Sequence, residues 1–257
     1  MSEVQEPASR SGAQAIERAL AVLRCFESGE RTQGISELAR RTGLSVSTTH
    51  RVTRALADGG LLMQVPRGDR YQLGPTLAVL GARAAGQLGY DQALPLLAEL
   101  SEATGESVNL GIRTGRDVQV VLDVPSTQPL RFDQAPGTRV PLYASAMGKC
   151  LLAAVDDPEA EVAALGELTP HTDRTLADLV ALLTDLREVR ERGWALNDEE
   201  RNPGVRAIAV GVRTELGTVA AIAVQGPSVR LTEDRFASLA NQLDHTARRV
   251  APLISFR

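Results

Sequence analysis

Residues 35–60 constrain this chain more than any other stretch. Ile35, Leu38 and Ala39 share one helical face, and Gly43 ends that helix, because glycine takes the left-handed geometry of a helix end without strain. Leu44 anchors the turn and Ser45 caps a second helix. In that helix Val46, Thr49, Val52, Thr53 and Leu56 recur at helical spacing, and the opposite face carries Ser47, Thr48, His50, Arg51 and Arg54. Small hydroxyls at the N-terminal end, followed by cations, suit the edges and phosphates of a DNA major groove. A polar helix face is usually only solvated, so the next segment decides. Leu61, Met63 and Val65 alternate, Pro66-Arg67-Gly68-Asp69 turns, and Tyr71 and Leu73 alternate again. That is a hairpin, and a hairpin after a recognition helix is a wing. Its tip is expected to carry Arg67 and Arg70, placed for the sugar–phosphate backbone.

Charge supports the same division. The chain of 257 residues has a net charge of −4, yet residues 31–75 hold seven arginines against Glu37, Asp58 and Asp69. A basic segment on an acidic body fits a DNA-binding module attached to a domain with another task. No apolar run approaches the roughly 20 residues of a membrane span, and no hydrophobic leader core stands at the start, so a cytoplasmic protein is expected. The distant Cys25 and Cys150 read as reduced, buried thiols. Three isolated histidines and two distant cysteines match no metal-ligand spacing, and no glycine-rich phosphate loop is present; neither metal nor cofactor is expected.

In chain order, residues 1–12 read as a disordered tail and 13–75 as the winged domain. That domain opens with a helix that packs through Ile16, Ala19, Leu20, Leu23 and Phe26 and ends before Gly29. A linker helix at 76–89 presents Leu77, Leu80, Ala84 and Leu88. Residues 90–252 form a second domain. It begins with a helix at 91–104 bearing Leu94, Leu97 and Leu100, then a hairpin whose arms alternate at Val108, Leu110, Ile112 and at Val118, Val120, Leu122. A short strand at Leu130–Asp133 and helices at 145–155 and 157–166 follow. Thr175 should cap a longer helix with Leu179, Leu183 and Leu186 inward. Strands at Ala195–Asn197, Ala207–Val212 and Val219–Gln225 precede a last helix started by Thr232. The irregular alternation indicates an α+β domain with an antiparallel sheet.

The chain resembles the IclR family of bacterial transcription regulators. The matching stretches include Ile16-Glu-Arg-Ala-Leu-Ala-Val-Leu, Ser36-Glu-Leu-Ala-Arg-Arg-Thr-Gly-Leu, Ser47-Thr-Thr-His-Arg-Val, Tyr71-Gln-Leu-Gly-Pro, Thr104-Gly-Glu-Ser-Val-Asn-Leu, Pro141-Leu-Tyr-Ala-Ser-Ala-Met-Gly-Lys, Glu188-Val-Arg-Glu-Arg-Gly-Trp and Asp198-Glu-Glu. The resemblance runs in order over about residues 13–251. It implies a winged helix-turn-helix, a linker helix and a GAF-like effector-binding domain, in dimers that commonly pair into tetramers. It further implies a ligand-responsive regulator of a catabolic operon, repression being the favoured sense, on a palindromic operator.

By position, the resemblance places Phe132, Val140, Ala146, Met147, Asn197, Val205, Ala207, Ala223 and Gln225 around the effector. Ser145-Ala146-Met147 open a predicted helix, whose free N–H groups suit an anion. Ala207 stands where the family often has Cys, Asn197 where it often has Asp, and Ala223 and Gln225 where it has small hydroxyl residues. None of the nine carries a charge, which points away from a short keto-acid and toward an aromatic or otherwise larger carboxylate. The alternative is an enzymatic second domain using the Cys150 thiol beside Lys149. Cys150 has no evident base in sequence, and Leu151-Leu152-Ala153 make it a core thiol instead, so no enzyme is expected.

Overall fold

The computed structural model describes residues 9–27, 30–66 and 68–254, in two compact units that divide between Ala84 and Ala85. Residues 1–8 of the expected tail, Gly29 and Arg67 lie outside the described residues.

The first unit opens with helix α1 (Ser9–Arg24), so residues 9–12, expected in the tail, are helical. Strand β1 (Gln33–Gly34), helix α2 (Ile35–Thr42) and helix α3 (Val46–Asp58) follow. Gly43, at φ 70°, makes the turn between the last two. Strands β2 (Leu62–Gln64) and β3 (Arg70–Leu73) complete a three-stranded antiparallel sheet in the order β1-β3-β2. Val22, Cys25, Leu38, Leu56 and Leu62 form its core.

Two inward faces differ from expectation. Ala19, Leu23 and Phe26 pack against this core as expected, but its buried members here are Val22 of α1 and Cys25 just beyond it, while Ile16 and Leu20 are exposed. In the wing, Leu62 and Tyr71 are buried, while Met63 and Leu73 are exposed. Leu61 and Leu62 are both leucine, so the alternation fits either parity, and a shift of one residue turns every side chain over.

Helix α4 (Pro75–Leu88) has no buried residue, and Val79 and Leu80 are exposed.

The second unit is built on a six-stranded antiparallel sheet in the order β6-β5-β4-β9-β8-β7. Its strands are β4 (Ser107–Thr114), β5 (Asp117–Val124), β6 (Arg139–Pro141), β7 (Ala195–Asp198), β8 (Val205–Thr214) and β9 (Gly217–Pro227). Helices α5 (Tyr90–Thr104) and α9 (Glu233–Val250) cover one face; α6 (Ala146–Ala153), α7 (Pro158–Leu165) and α8 (Leu179–Arg192) lie on the other. The strand expected at Leu130–Asp133 is absent; those residues are extended coil, and the edge strand is β6. Leu130 is exposed, and the segment is held by side chains instead of a ladder: Arg230 donates to the Leu130 carbonyl at 2.8 Å. The cap of α8 is Asp178, whose carboxylate accepts from the Ala181 N–H at 2.9 Å, and not Thr175. The helix buries Leu182, Leu186 and Val189 and exposes Leu179. Leu94 of α5, also expected inward, is exposed as well.

The two sheet faces are paved differently. Toward α5 and α9 point Val108, Leu110, Ile208, Val210, Ile222 and Val224. The alternate positions of the paired strands are Gly111, Ala209, Ala221 and Ala223. All eight residues of α6 are buried on that small-residue face. The approach is close enough that a Cβ at Gly148 would stand 2.1 Å from the Leu142 carbonyl oxygen. Gly148→Ala must therefore push α6 off the chain beside it, at a cost of about 1–3 kcal/mol or more. Thermal unfolding followed by circular dichroism should show a lowered Tm; an unchanged Tm would mean that the helix is free to move.

Candidate functional site: a DNA-facing helix and a cleft beside helix α6

Helix α3 presents its polar face to solvent. Ser47, His50, Arg51 and Arg54 are exposed and Thr48 is half-buried, while Thr49, Thr53 and Leu56 are buried. Val46, expected inward, is exposed. The Ser45 hydroxyl accepts from the Thr48 N–H at 3.3 Å and donates to Thr48 Oγ1 at 2.9 Å, with Ser47 Oγ at 3.2 Å. The small hydroxyls thus cluster at the helix start, where the N–H groups and the helix dipole favour an anion such as phosphate. Arg70 is not at the wing tip. It begins β3, and its guanidinium donates to Thr32 Oγ1 at 2.9 Å, to Glu30 Oε2 at 2.7 Å and to the Thr32 carbonyl. Its job is to tie the wing to the segment before α2. The wing turn is held by Gln64, whose amide donates to the Gly68 carbonyl at 2.8 Å.

In the second unit one cleft, holding about 380 Å³ of space with its open mouth included, is lined by all nine expected effector residues. Phe132 and Val140 come from the stretch between β5 and α6, Ala146 and Met147 from the first turn of α6, and Asn197, Val205, Ala207, Ala223 and Gln225 from β7, β8 and β9. The structure adds Gln134, Ala144, Ser145, Arg201 and Asn202.

Arg201 corrects the expectation of an uncharged lining. Its guanidinium stands 5.6 Å from the Phe132 ring centroid, a cation–π distance. Its Nε donates to Asn202 Oδ1 at 3.0 Å, and the Gln134 amide oxygen, turned toward it, accepts from Nη1 at 2.9 Å and Nη2 at 2.5 Å. Burial pushes this guanidinium below its ordinary pKa. Arg201 was missed because it sits in the β7–β8 connection, one residue past the matched Asp198-Glu-Glu, where no periodicity reports direction.

At the opposite lip Ser145 caps α6, accepting from the Gly148 N–H at 3.1 Å and donating to the Pro141 carbonyl at 2.8 Å. The Ala146 and Met147 N–H groups precede the first intrahelical bonds and are available to an acceptor. The two amide liners are oriented by buried partners. Asn197 Nδ2 donates to the Ala144 carbonyl at 2.7 Å, and Gln225 Nε2 donates to Asn109 Oδ1. Asn109 in turn donates to Asp123 Oδ1 at 2.7 Å. Each liner therefore has its amide oxygen left to offer.

The fold and these two sites define a class: a DNA-binding regulator with a separate small-molecule-binding domain. Residues 15–66 match the model of the IclR helix-turn-helix domain, and residues 90–252 that of the bacterial transcriptional regulator IclR C-terminal domain. The chain belongs to the IclR family of transcription regulators, which are not enzymes. It is 33% identical to the HTH-type transcriptional repressor AllR of Escherichia coli (strain K12) over 98% of this chain and 94% of that one. It is 35% identical to the HTH-type transcriptional regulator BhcR of Paracoccus denitrificans, over 93% and 87% of the two chains. Among solved structures, an IclR transcriptional regulator from Alicyclobacillus acidocaldarius superposes with a TM-score of 0.86 at 27% identity, covering 93% of this chain and 98% of that one. Among the described residues, no helix is long and apolar enough to cross a membrane.

The Cys150 environment opposes thiol chemistry. The thiol donates to the Ala209 carbonyl at 3.1 Å, and burial pushes its pKa up to about 12. His171 bonds Tyr143 at 3.1 Å instead. Iodoacetamide at pH 8 should leave Cys150 unmodified in the native protein and label it once denatured, as read by mass spectrometry; rapid native labelling would contradict this burial.

Proposed function

We propose that this chain is a cytoplasmic repressor of a catabolic operon that binds a near-palindromic operator as a dimer or tetramer. Two copies of α3 would enter successive major grooves, with Ser47, Thr48 and Arg51 at base edges and His50 and Arg54 on the backbone. Arg67 would meet the backbone from the wing. The repressor sense follows the name of AllR. Self-association is supported by the apolar side chains that this single chain leaves exposed on α1 and α4: Ile16, Leu20, Val79 and Leu80. Arg51→Ala should cost about 1–3 kcal/mol of operator affinity and relax the preference at one base pair. Selection of bound duplexes from a random pool checks this, and an unaltered consensus would reverse the assigned orientation of the helix.

We further propose that the effector is a carboxylate larger than a short keto-acid, aromatic in its body and bearing a hydroxyl. One observation carries this reading: Arg201 is the single charged side chain lining the cleft, and every other polar liner is neutral. A half-buried cation without a facing carboxylate attracts an organic anion. Phe132 and Met147 offer the apolar walls for a ring. The free amide oxygens of Asn197 and Gln225 accept hydrogen bonds, so the end of the ligand that meets them is a donor. Calorimetry with benzoate, hydroxybenzoates and pyruvate tests the assignment. Hydroxybenzoates should bind most tightly, and Arg201→Gln should weaken them about tenfold or more, the usual loss for a charge-assisted hydrogen bond. Binding of pyruvate alone would overturn it.

A further inference from the structure

Lys149 is the chain's only lysine, and it is 1% exposed. An ammonium taken out of water is costly unless it is paired. Lys149 Nζ donates to Glu200 Oε1 at 2.6 Å and lies 2.9 Å from Asp185 Oδ2. The other oxygen of Asp185 is 3.6 Å from Arg192 Nη2, and the Arg192 guanidinium lies 4.3 Å from the centroid of the Trp194 ring. Arg192 Nη1 also lies 3.7 Å from Glu188 Oε2, so two cations face three carboxylates. The cluster is not saturated: Glu200 Oε2 and Arg192 Nη2 have no hydrogen-bond partner among the described residues.

A buried ion cluster with idle polar atoms is a poor device for stability, since packed apolar side chains usually do as well. What it does fix is the relation between the elements that carry it. Lys149 belongs to α6, whose first two residues line the cleft. Glu200 is the chain neighbour of Arg201. Asp185 and Arg192 belong to α8. The backbone beside Arg201 is fastened as well. Thr172 Oγ1 donates to the Glu199 carbonyl at 2.8 Å and Thr175 Oγ1 to the Glu200 carbonyl at 2.5 Å. Glu199 is held at φ 61°, a left-handed conformation uncommon for a residue with a side chain.

We propose that Glu200 and Lys149 are positioning residues of the cleft: their ion pair holds the lip bearing Arg201 against the start of α6, and Asp185 and Arg192 carry a movement of that lip to α8 and Trp194. An anion drawn to Arg201 displaces Glu200 with it. Lys149 then turns more fully to Asp185, and Asp185 loosens from Arg192. In its consequence the proposal rests on the effector reading above; its first test needs no effector.

The full chain is compared with Glu200→Gln and with Asp185→Asn, a near-isosteric change at a partly exposed side chain. Hydrogen exchange is read by mass spectrometry, and the emission of Trp194, the only tryptophan, is recorded. Glu200→Gln should speed exchange about tenfold in peptides covering 142–149 and 198–206 and shift the Trp194 emission, while 107–112 and 219–225 keep wild-type rates. Asp185→Asn should shift the emission too. Uniform acceleration along the chain, or an unchanged lip and an unchanged emission, overturns the proposal. Benzoate and 4-hydroxybenzoate are then titrated into wild type and Glu200→Gln. Equal affinity for both proteins overturns the positioning role. If neither acid binds wild type while the local exchange pattern holds, the effector assignment fails and the positioning role stands.

Discussion

The architecture of the second domain depends on how its central strands divide large from small side chains. Along β8 and β9 the residues facing α5 and α9 are Ile208, Val210, Ile222 and Val224, while those between them are alanines. Burying a branched side chain contributes about 1.5–3 kcal/mol, so the large face anchors the sheet to its covering helices. The small face contributes little per residue, but it allows α6 to lie fully buried on the sheet. The cleft is a product of that arrangement. Where α6 begins, Ala207 and Ala223 leave room that bulkier side chains would fill, and Phe132, Val140 and Arg201 close the space from the sides.

The DNA-binding unit follows a different economy. Its core is small, and polar side chains supply much of the fastening. Gln33, fully buried, donates from its side chain to the Cys25 carbonyl, and Arg41 donates to the same carbonyl at 2.7 Å and to Gln33 Oε1 at 2.8 Å. Arg70 ties the wing to residues 30–32 in the same manner. Arginine therefore serves two purposes here: Arg41 and Arg70 hold the unit together, and Arg51 and Arg54 remain exposed on α3.

Periodicity in the sequence revealed most of the elements. Helices ending at Gly43, Gly105 and Gly193 and hairpin arms of alternating valine and leucine lie where local chemistry puts them. It failed where two readings shared one pattern. Leu61-Leu62 left the parity of the wing open, and the apolar first helix with the turn after it offers a second stripe through Val22 and Cys25. Thr175 looked like a cap because threonine often is one, but its hydroxyl is engaged by the His171 and Thr172 N–H groups, each at 2.9 Å. The nine cleft residues came from the family resemblance; spacing alone could not bring β7, β8, β9 and α6 around one space. Arg201 escaped both routes, since a side chain on a connection answers to tertiary contacts that no local pattern encodes.

The burial of the single lysine also sets what the surface can become. Apart from three histidines, every other basic side chain is arginine, and a guanidinium keeps its charge throughout the physiological pH range. The one ε-amine is sealed between α6 and α8, out of reach of enzymes that acylate lysines. The arginine charge offered to DNA by Arg51 and Arg54 is therefore fixed, and neither lysine acetylation nor a change in cellular pH erases it.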